Sequence, residues 1–295
     1  MQLQGIFPPI TTPFDAAGNL YKSKVKHNIG KWNLTGLAGY VVCGSTGESV
    51  YLTTGEKIQL WEWVAECAAP DKLLIAGAGM ESVRETVELT IGAAGLGYKA
   101  AMVRTPHYYK NLLTRPETQA LYFRAVADRS PIPIMIYNWP QTTGVDIPAG
   151  TVAALSEHPN IIAIKESSGN LDKVREMIRT VKPGFRVLVG SAPTLAPSLA
   201  AGASGAVLAF ANLAPYPTLA IWEAVRARQM EAATGWQERI TPLAELVTTI
   251  HGIPGLKYAM DLAGFYGGPP RLPLAPPPPA ARLEIDKAFK LLMGS

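Results

Sequence analysis

The chain has 295 residues, of which 48% are hydrophobic and 17% are charged. This composition provides enough apolar surface for a large core and excludes an intrinsically disordered chain. Lysine and arginine number 27 against 23 aspartates and glutamates, and no basic run concentrates the net charge of +4, so we predict no nucleic-acid partner. The 27 glycines and 25 prolines indicate many short elements joined by turns.

Targeting, membrane and metal signals are missing from the sequence. The N-terminal residues lack the basic and apolar regions of a signal peptide. The best candidate for a membrane span, residues 205–214, is shorter than the roughly 18 residues required and contains Asn212. Cys43 and Cys67 form no CxxC pair, and the four histidines show no metal-ligand spacing. We therefore predict a cytoplasmic protein with reduced thiols, no metal and no membrane partner.

Eight short apolar runs, separated by amphipathic stretches, predict buried parallel strands. They cover residues 5–11, 39–43, 73–77, 100–104, 132–137, 161–165, 186–189 and 205–210. Capping-box patterns predict the starts of three intervening helices, at Thr53 with Glu56, Ser82 with Glu85, and Thr114 with Glu117.

This alternation predicts an α/β fold, a (β/α)8 TIM barrel with a C-terminal helical extension. An open doubly wound sheet is the alternative, but the segment 77–82 lacks the third glycine of a dinucleotide fingerprint. Beyond residue 229 the rhythm changes to three helical stretches, with four consecutive prolines at 276–279. We predict a barrel over residues 1–228 and the helical extension over residues 229–295.

Chemistry in such barrels lies at the C-terminal ends of the strands. The sixth strand is apolar until it ends at Lys165. Burial in the barrel mouth would lower the pKa of this amine and make it a nucleophile that forms a Schiff base with a carbonyl carbon. The alternative is a structural lysine that pairs with Glu166, and the residue alone favours neither interpretation.

Two further strand ends carry polar groups. Tyr137 ends the fifth strand, where its phenol is either a proton carrier or a buried ring with a satisfied hydroxyl. After the second strand, Ser45 and Thr46 lie between two glycines, which places hydroxyls and backbone donors together for a small carboxylate. The sequence contains no GxSxG elbow, so a serine-hydrolase site is excluded.

Three strand-end motifs together resemble the dihydrodipicolinate synthase/N-acetylneuraminate lyase family of class I aldolases. They are Gly44-Ser45-Thr46-Gly47-Glu48, Tyr137-Asn138-x-Pro140 and Ile164-Lys165-Glu166-Ser167-Ser168-Gly169. The similarity covers essentially the whole chain. It implies a homotetramer built as a dimer of dimers and no cofactor. It also implies that pyruvate or another 2-oxo acid is bound as an imine, and that an aldehyde is the second small-molecule partner.

The resemblance also implies residue roles. Lys165 matches the Schiff-base lysine, and Tyr137 matches the general acid/base. Ser45 and Thr46 match the pair that holds the carboxylate of the 2-oxo acid, and Thr46 also relays protons.

Other matching positions complete the implied site. Tyr108, or the adjacent Tyr109, matches the tyrosine that reaches into the neighbouring subunit's site. Val207 matches the position whose backbone carbonyl lines the pocket, and Ser167 would lie beside the substrate.

Thr142 bears on the choice of substrate. It stands where the lysine-pathway synthase has an arginine that holds the carboxylate of aspartate semialdehyde. Threonine cannot make that bidentate contact, whose loss costs on the order of 1.5–3 kcal/mol. The tail, from His251-Gly252-Ile253-Pro254 to Arg271-x-Pro273-Leu274, resembles 4-hydroxy-2-oxoglutarate aldolase most.

We therefore predict a lyase that cleaves 4-hydroxy-2-oxoglutarate to pyruvate and glyoxylate. The first alternative is a 4-hydroxy-tetrahydrodipicolinate synthase, which condenses pyruvate with aspartate semialdehyde. A sugar-acid aldolase or dehydratase and a non-catalytic 2-oxo acid-binding protein are the others.

Overall fold

The computed structural model describes residues 3–294, so that Met1, Gln2 and Ser295, which the predicted domain ranges include, lie outside the described residues. Eight parallel strands form one sheet, in which β2 to β8 pair in chain order and β1 pairs with β8. The strands are β1 (Gly5–Phe7), β2 (Gly39–Val42), β3 (Leu73–Gly77), β4 (Ala100–Arg104), β5 (Ile134–Asn138), β6 (Ile161–Glu166), β7 (Arg186–Val189) and β8 (Gly205–Val207).

Helices follow the strands and cover the outside of the sheet. They are α1 (Lys22–Asn33), α2 (Thr54–Cys67), α3 (Val83–Gly95), α4 (Lys110–Leu113), α5 (Pro116–Ala127), α6 (Pro140–Thr143), α7 (Ala149–Ser156), α8 (Leu171–Thr180), α9 (Leu195–Ala200), α10 (Pro215–Arg226), α11 (Met230–Glu245), α12 (Gly252–Leu262) and α13 (Pro279–Met293), with a π-helical segment at Leu246–Ile250 between α11 and α12. Within residues 3–294, no helix has the length and apolar character needed to span a bilayer.

Backbone hydrogen bonds between the first two strands close the barrel. The Ala38 N–H donates to the Ile6 carbonyl at 2.9 Å, and the Val41 N–H donates to the Pro8 carbonyl at 3.0 Å. The predicted (β/α)8 barrel is therefore confirmed. Its first strand is shorter than the predicted 5–11, because Pro8 and Pro9 follow Phe7 and have no N–H for a strand ladder.

Local signals explain where most helices begin. At the start of α2, Thr53 and Glu56 form the predicted capping box with both hydrogen bonds. At α3, Ser82 accepts a hydrogen bond from the Glu85 N–H. The prediction at Thr114 is wrong: this residue ends α4, and α5 begins at Pro116, whose fixed φ and missing N–H suit the first helical position.

Two apolar regions hold the fold together. The barrel interior is filled by inward side chains, among them Phe7, Ile75, Met135 and Leu188. A larger core lies between the strands and the helices and includes residues of α11 and α12. The predicted division of the chain at residue 228 stays a prediction.

Glycine is required where neighbouring strands approach most closely. A Cβ on Gly39 would lie 2.0 Å from the Leu73 carbonyl oxygen, whereas one on Gly92, within α3, would meet nothing within 4 Å. We expect Gly39→Ala to lower the free energy of unfolding by about 1–3 kcal/mol or more, because the β2–β3 backbone must move apart. Gly92→Ala should raise it by about 0.5–1 kcal/mol, since alanine is the better helix former. Urea denaturation measures both, and equal midpoints for the two variants would contradict the packing described.

Candidate active site

A cavity of about 390 Å³ opens where the strands end. Strand ends form its floor, and residues of the C-terminal region form part of its wall. It brings together six of the residues predicted from the sequence, namely Thr46, Tyr137, Thr142, Lys165, Ser167 and Val207.

Lys165 and Tyr137 lie side by side at the bottom of this cavity. They are register partners on β6 and β5, and the Nζ of Lys165 lies 4.1 Å from the centre of the Tyr137 ring. The Trp139 ring stacks on the Tyr137 ring, with the two centroids 6.2 Å apart, and lines the same cavity. The strand pairing therefore fixes the amine and the phenol relative to each other.

An extra residue in β6 turns Lys165 into the barrel. Ile134 pairs with Ile161 but Met135 pairs with Ala163, which leaves Ile162 as an additional residue on β6. Ile161 faces the helix layer, so strict alternation from it would point Ala163 and Lys165 outward as well. The bulge reverses the alternation, and Ala163 packs inside the barrel.

Burial sets the protonation of Lys165, whose surface is 4% exposed. Desolvation lowers the pKa of this amine from its ordinary 10.5 to about 7. That difference corresponds to about 5 kcal/mol against the ammonium form, more than the ~1–2 kcal/mol by which an aromatic face favours a cation. Lys165 forms no salt bridge within the described residues, so a large fraction of the amine is neutral near pH 7.

The alternative pairing of Lys165 with Glu166 is wrong. Glu166 points away from the barrel interior. Outside the barrel, its carboxylate accepts hydrogen bonds from the Asn138 side chain and the Ser168 N–H at 2.8 and 2.7 Å. Its carboxylate also lies 3.5 Å from the Nζ of Lys173. Adjacent residues on a strand face opposite sides, so a Glu166 carboxylate satisfied outside cannot reach the amine inside.

Tyr137 is held as a protonated phenol. Burial raises its pKa well above the usual range, and the Ser45 hydroxyl and Arg104 oppose that shift only in part. When a neutral amine attacks a carbonyl carbon, a protonated phenol beside it can donate a proton to the carbonyl oxygen, which then leaves that carbon as water. Ser45 lines a small adjoining cavity together with Tyr137 rather than the main cavity.

The loop that carries Ser45 and Thr46 has an unusual backbone. Two short 3₁₀ turns, Ser45–Gly47 and Ser49–Tyr51, meet at Glu48, which has φ 56° and ψ 33°. Cys43, before the loop, also has a positive φ of 61°. Each such non-glycine residue costs about 1–2 kcal/mol, so other contacts must hold the loop in place.

Ser167 presents a hydroxyl without a hydrogen-bond partner in residues 3–294, although the oxygen is buried. Gly190 makes room for it, because a Cβ there would lie 1.9 Å from the Ser167 Oγ and 3.0 Å from the Cε of Lys165. A buried hydroxyl in this position is available to a bound polar molecule.

Tyr108 and Tyr109 lie outside the cavity of their own chain. Their surfaces are 79% and 65% exposed, and they line a separate depression with Glu81. Glu81 accepts hydrogen bonds from the backbone N–H groups of His107 and Tyr108, which fixes this segment. The prediction that one of these tyrosines enters a neighbouring subunit's site stays a prediction.

Sequence reasoning missed the wall that the C-terminal region contributes. Thr248 and Thr249 of the π-helical segment and Ile253 of α12 line the cavity. The helical stretches and the prolines of the tail predict an extension, but no local pattern indicates which segment returns to the ends of the strands. Lys165 is the only lysine, arginine, aspartate or glutamate among the residues lining the cavity in the described part of the chain.

Comparisons with known proteins agree with the family indicated by the motifs. The model of the dihydrodipicolinate synthetase family matches residues 2–292. The 4-hydroxy-tetrahydrodipicolinate synthase of Methanothrix thermoacetophila is 39% identical over 277 residues, which cover 92% of this chain and 91% of that protein.

Two solved structures share the fold over nearly their whole length. Dihydrodipicolinate synthase from Bacillus anthracis superimposes with a TM-score of 0.93 at 28% identity and covers 98% of both chains. The chloride-inhibited enzyme from Acinetobacter baumannii, solved in complex with pyruvate, gives 0.94 at 28% identity and covers 99% of both. These names give no support to the predicted aldolase subfamily.

The solitary burial of Lys165 predicts a stability cost. The pKa of Lys165 is lowered only in the folded state. Between about pH 7 and the ordinary pKa of 10.5, the amine therefore carries a proton in the unfolded chain but not in the folded chain. We expect Lys165→Met to raise the free energy of unfolding at pH 7 by about 1–4 kcal/mol, and the gain to shrink as the pH rises toward 10.5.

Glu166→Gln is the matched control on the same strand, because it removes a paired carboxylate and should destabilise the protein by about 1–3 kcal/mol. Urea denaturation between pH 7 and 10 measures both variants. A Lys165→Met variant that is less stable than the wild type at pH 7 would show that the amine is not held at a cost.

Proposed function

The chain belongs to the dihydrodipicolinate synthetase family, and from that premise we propose that it condenses pyruvate with aspartate semialdehyde, as a 4-hydroxy-tetrahydrodipicolinate synthase does. At the coarser level it is a pyruvate-dependent enzyme of the class I aldolase type. One observation carries the imine chemistry: a buried amine without a counter-charge lies beside a protonated phenol at the bottom of a cavity. The name of the Methanothrix relative supports the choice of aspartate semialdehyde.

The proposed reaction starts with the neutral amine of Lys165. It attacks C2 of pyruvate, and Tyr137 donates a proton to the oxygen that leaves as water, which yields the imine. The Tyr137 phenolate takes a proton from C3, which gives an enamine, and C3 of the enamine attacks the aldehyde carbon of the second substrate while Tyr137 returns the proton to the aldehyde oxygen. The amino group of the semialdehyde then attacks C2 and displaces the Lys165 amine, which closes the product ring and restores Lys165.

Thr46 and Ser45 hold the pyruvate carboxylate in this proposal. Both lie near Tyr137, Thr46 on the main cavity and Ser45 on the adjoining one. Thr46 is also buried and close to the start of a 3₁₀ turn, where backbone N–H groups add to its hydroxyl. The buried Ser167 hydroxyl supplies a further donor next to the imine.

We propose a homotetramer, built as a dimer of dimers, as the working assembly. The large exposed surfaces of Tyr108 and Tyr109 support it, because aromatic side chains of that exposure are typical of a contact surface. In this arrangement Tyr108 completes the proton relay of a neighbouring site.

Cleavage of 4-hydroxy-2-oxoglutarate is the second candidate, although the sequence placed it first. Thr142 favours it, because it lines the cavity where the resemblance implies an arginine in the synthase, and no guanidinium lines the cavity elsewhere in residues 3–294. The relative described above is named a synthase, so this candidate ranks second.

Trapping with borohydride tests the shared chemistry. We expect pyruvate plus borohydride to add one pyruvyl group to the peptide that contains Lys165, and Lys165→Met to abolish it, because reduction makes the imine permanent. Peptide mass mapping identifies the site. An adduct on another lysine, or no adduct, would overturn the imine mechanism. If the wild type and Lys165→Met both bind pyruvate and neither turns over a substrate, the chain is a binding protein.

The choice of second substrate is tested at Thr142. We expect Thr142→Arg to raise kcat/KM for aspartate semialdehyde about tenfold, because a guanidinium forms a bidentate contact with the second carboxylate. Thr142→Lys is the matched control, which adds the charge without the planar fork and should gain less. Cleavage of 4-hydroxy-2-oxoglutarate by the wild type at a far higher kcat/KM than the condensation would make the second candidate the function.

A further inference from the structure

A fully buried ion pair lies directly behind the loop that carries Thr46. The Nζ of Lys257, from α12, is 2.5 Å from Oε1 of Glu48, and both side chains have no exposed surface. The other carboxylate oxygen of Glu48 accepts a hydrogen bond from the Arg271 N–H at 2.8 Å. The C-terminal region therefore binds the loop at Glu48, two residues after Thr46, through an ion pair and a hydrogen bond.

Lys257 reaches the same loop by a second route. Its Nζ donates to the backbone carbonyl of Thr12 at 2.9 Å and to that of Pro269 at 3.0 Å. The Thr12 hydroxyl in turn donates to the Gly47 carbonyl at 2.6 Å. One ammonium group thus joins the segment after β1, the Thr46 loop and the C-terminal region.

The backbone of Glu48 adds a second observation. Its positive φ is a conformation that glycine adopts most easily, yet the chain has a residue with a charged side chain there. Within the described residues, every hydrogen bond and ion pair of this carboxylate joins it to the C-terminal region. The conformation of the loop is therefore tied to a segment far away in sequence.

We propose that Lys257 and Glu48 are positioning residues that hold Thr46 where it meets the carboxylate of the bound 2-oxo acid. This inference rests on the proposed function, since it concerns the pyruvate that forms an imine with Lys165. Neither residue lines the cavity, so both act through the loop. The C-terminal region would thereby set the affinity for pyruvate.

A merely structural ion pair makes a different prediction. It would change the melting temperature and leave the pyruvate dependence of the folded protein untouched. A positioning pair changes the pyruvate concentration at half-maximal imine formation, while the pH midpoint of imine formation, which belongs to Lys165, stays the same. A misplacement of a positioned group by about 1 Å can lower the rate of such a site about 100-fold.

The experiment uses the double variant Glu48→Gln/Lys257→Met, which leaves no unpaired buried charge and keeps an acceptor for the Arg271 N–H. Adduct formation is followed by borohydride quenching at a series of pyruvate concentrations and pH values. We expect the half-saturating pyruvate concentration to rise about 10- to 100-fold, with the pH midpoint of imine formation unchanged.

Two further variants keep the inference testable. Thr12→Val removes only the hydroxyl bond to Gly47, leaves the ion pair intact, and should raise the half-saturating concentration by the same route if the double variant does not fold. Tyr258→Phe is the control on the same helix, because it loses a bond to Asp286 and no contact with the loop, and it should leave pyruvate saturation unchanged.

The outcomes separate the two proposals. A double variant that is less stable but saturates with pyruvate like the wild type overturns the positioning role. A shifted pH midpoint overturns it as well, because the pair would then act on Lys165. A wild-type protein that forms no adduct overturns the proposed function itself, and the positioning role with it.

Discussion

Burial that removes water favours the neutral form of an amine inside a protein, provided that no carboxylate approaches it. Around Lys165 several features of the barrel serve that constraint together. The extra residue Ile162 turns the lysine inward, and the same alternation turns Glu166 outward to partners of its own. Gly190 leaves space beside the lysine chain that a Cβ would fill. The neutral amine, which is the proposed nucleophile, is thus a product of strand geometry.

The chain contains a second buried lysine whose surroundings are the opposite. Lys257 is fully buried, and burial lowers its pKa as well, but the Glu48 carboxylate opposes that shift. Its ammonium group also donates to two backbone carbonyls and lies 4.6 Å from the centre of the Phe14 ring. One lysine is left unpaired at the cavity and the other is paired behind the loop, as their proposed roles of nucleophile and positioning residue require.

The sequence predicted the barrel and six of the residues that line the cavity. Apolar runs predicted all eight strands, and strand ends identified Lys165, Tyr137 and Thr46, because in parallel barrels these ends must converge. The bulge at Ile162 could not be predicted, since an extra residue in an apolar run changes no composition or periodicity that a short strand can reveal. The cavity wall at Thr248 and Thr249 and the ion pair of Glu48 with Lys257 depend on contacts between segments about 200 residues apart, for which a single sequence has no local signal.

The family, the buried amine and the protonated phenol agree on Schiff-base chemistry with a 2-oxo acid, and the proposals differ in the second substrate. Gln141, Thr142 and Ser168, which line the cavity, have neutral side chains. Recognition of a second carboxylate would therefore depend on hydroxyl, amide and backbone donors, which are weaker partners than arginine.

The most direct test of this account is the titration of the Lys165 amine itself. Nuclear magnetic resonance of protein labelled with ¹³C at lysine Cε, with the signal assigned through Lys165→Met, follows that one group across the pH range. We expect a midpoint near pH 7 for the protein without substrate. A midpoint close to the ordinary 10.5 would contradict it, because the amine would then be an ammonium ion at neutral pH and the barrel would not prepare it for attack on a carbonyl carbon.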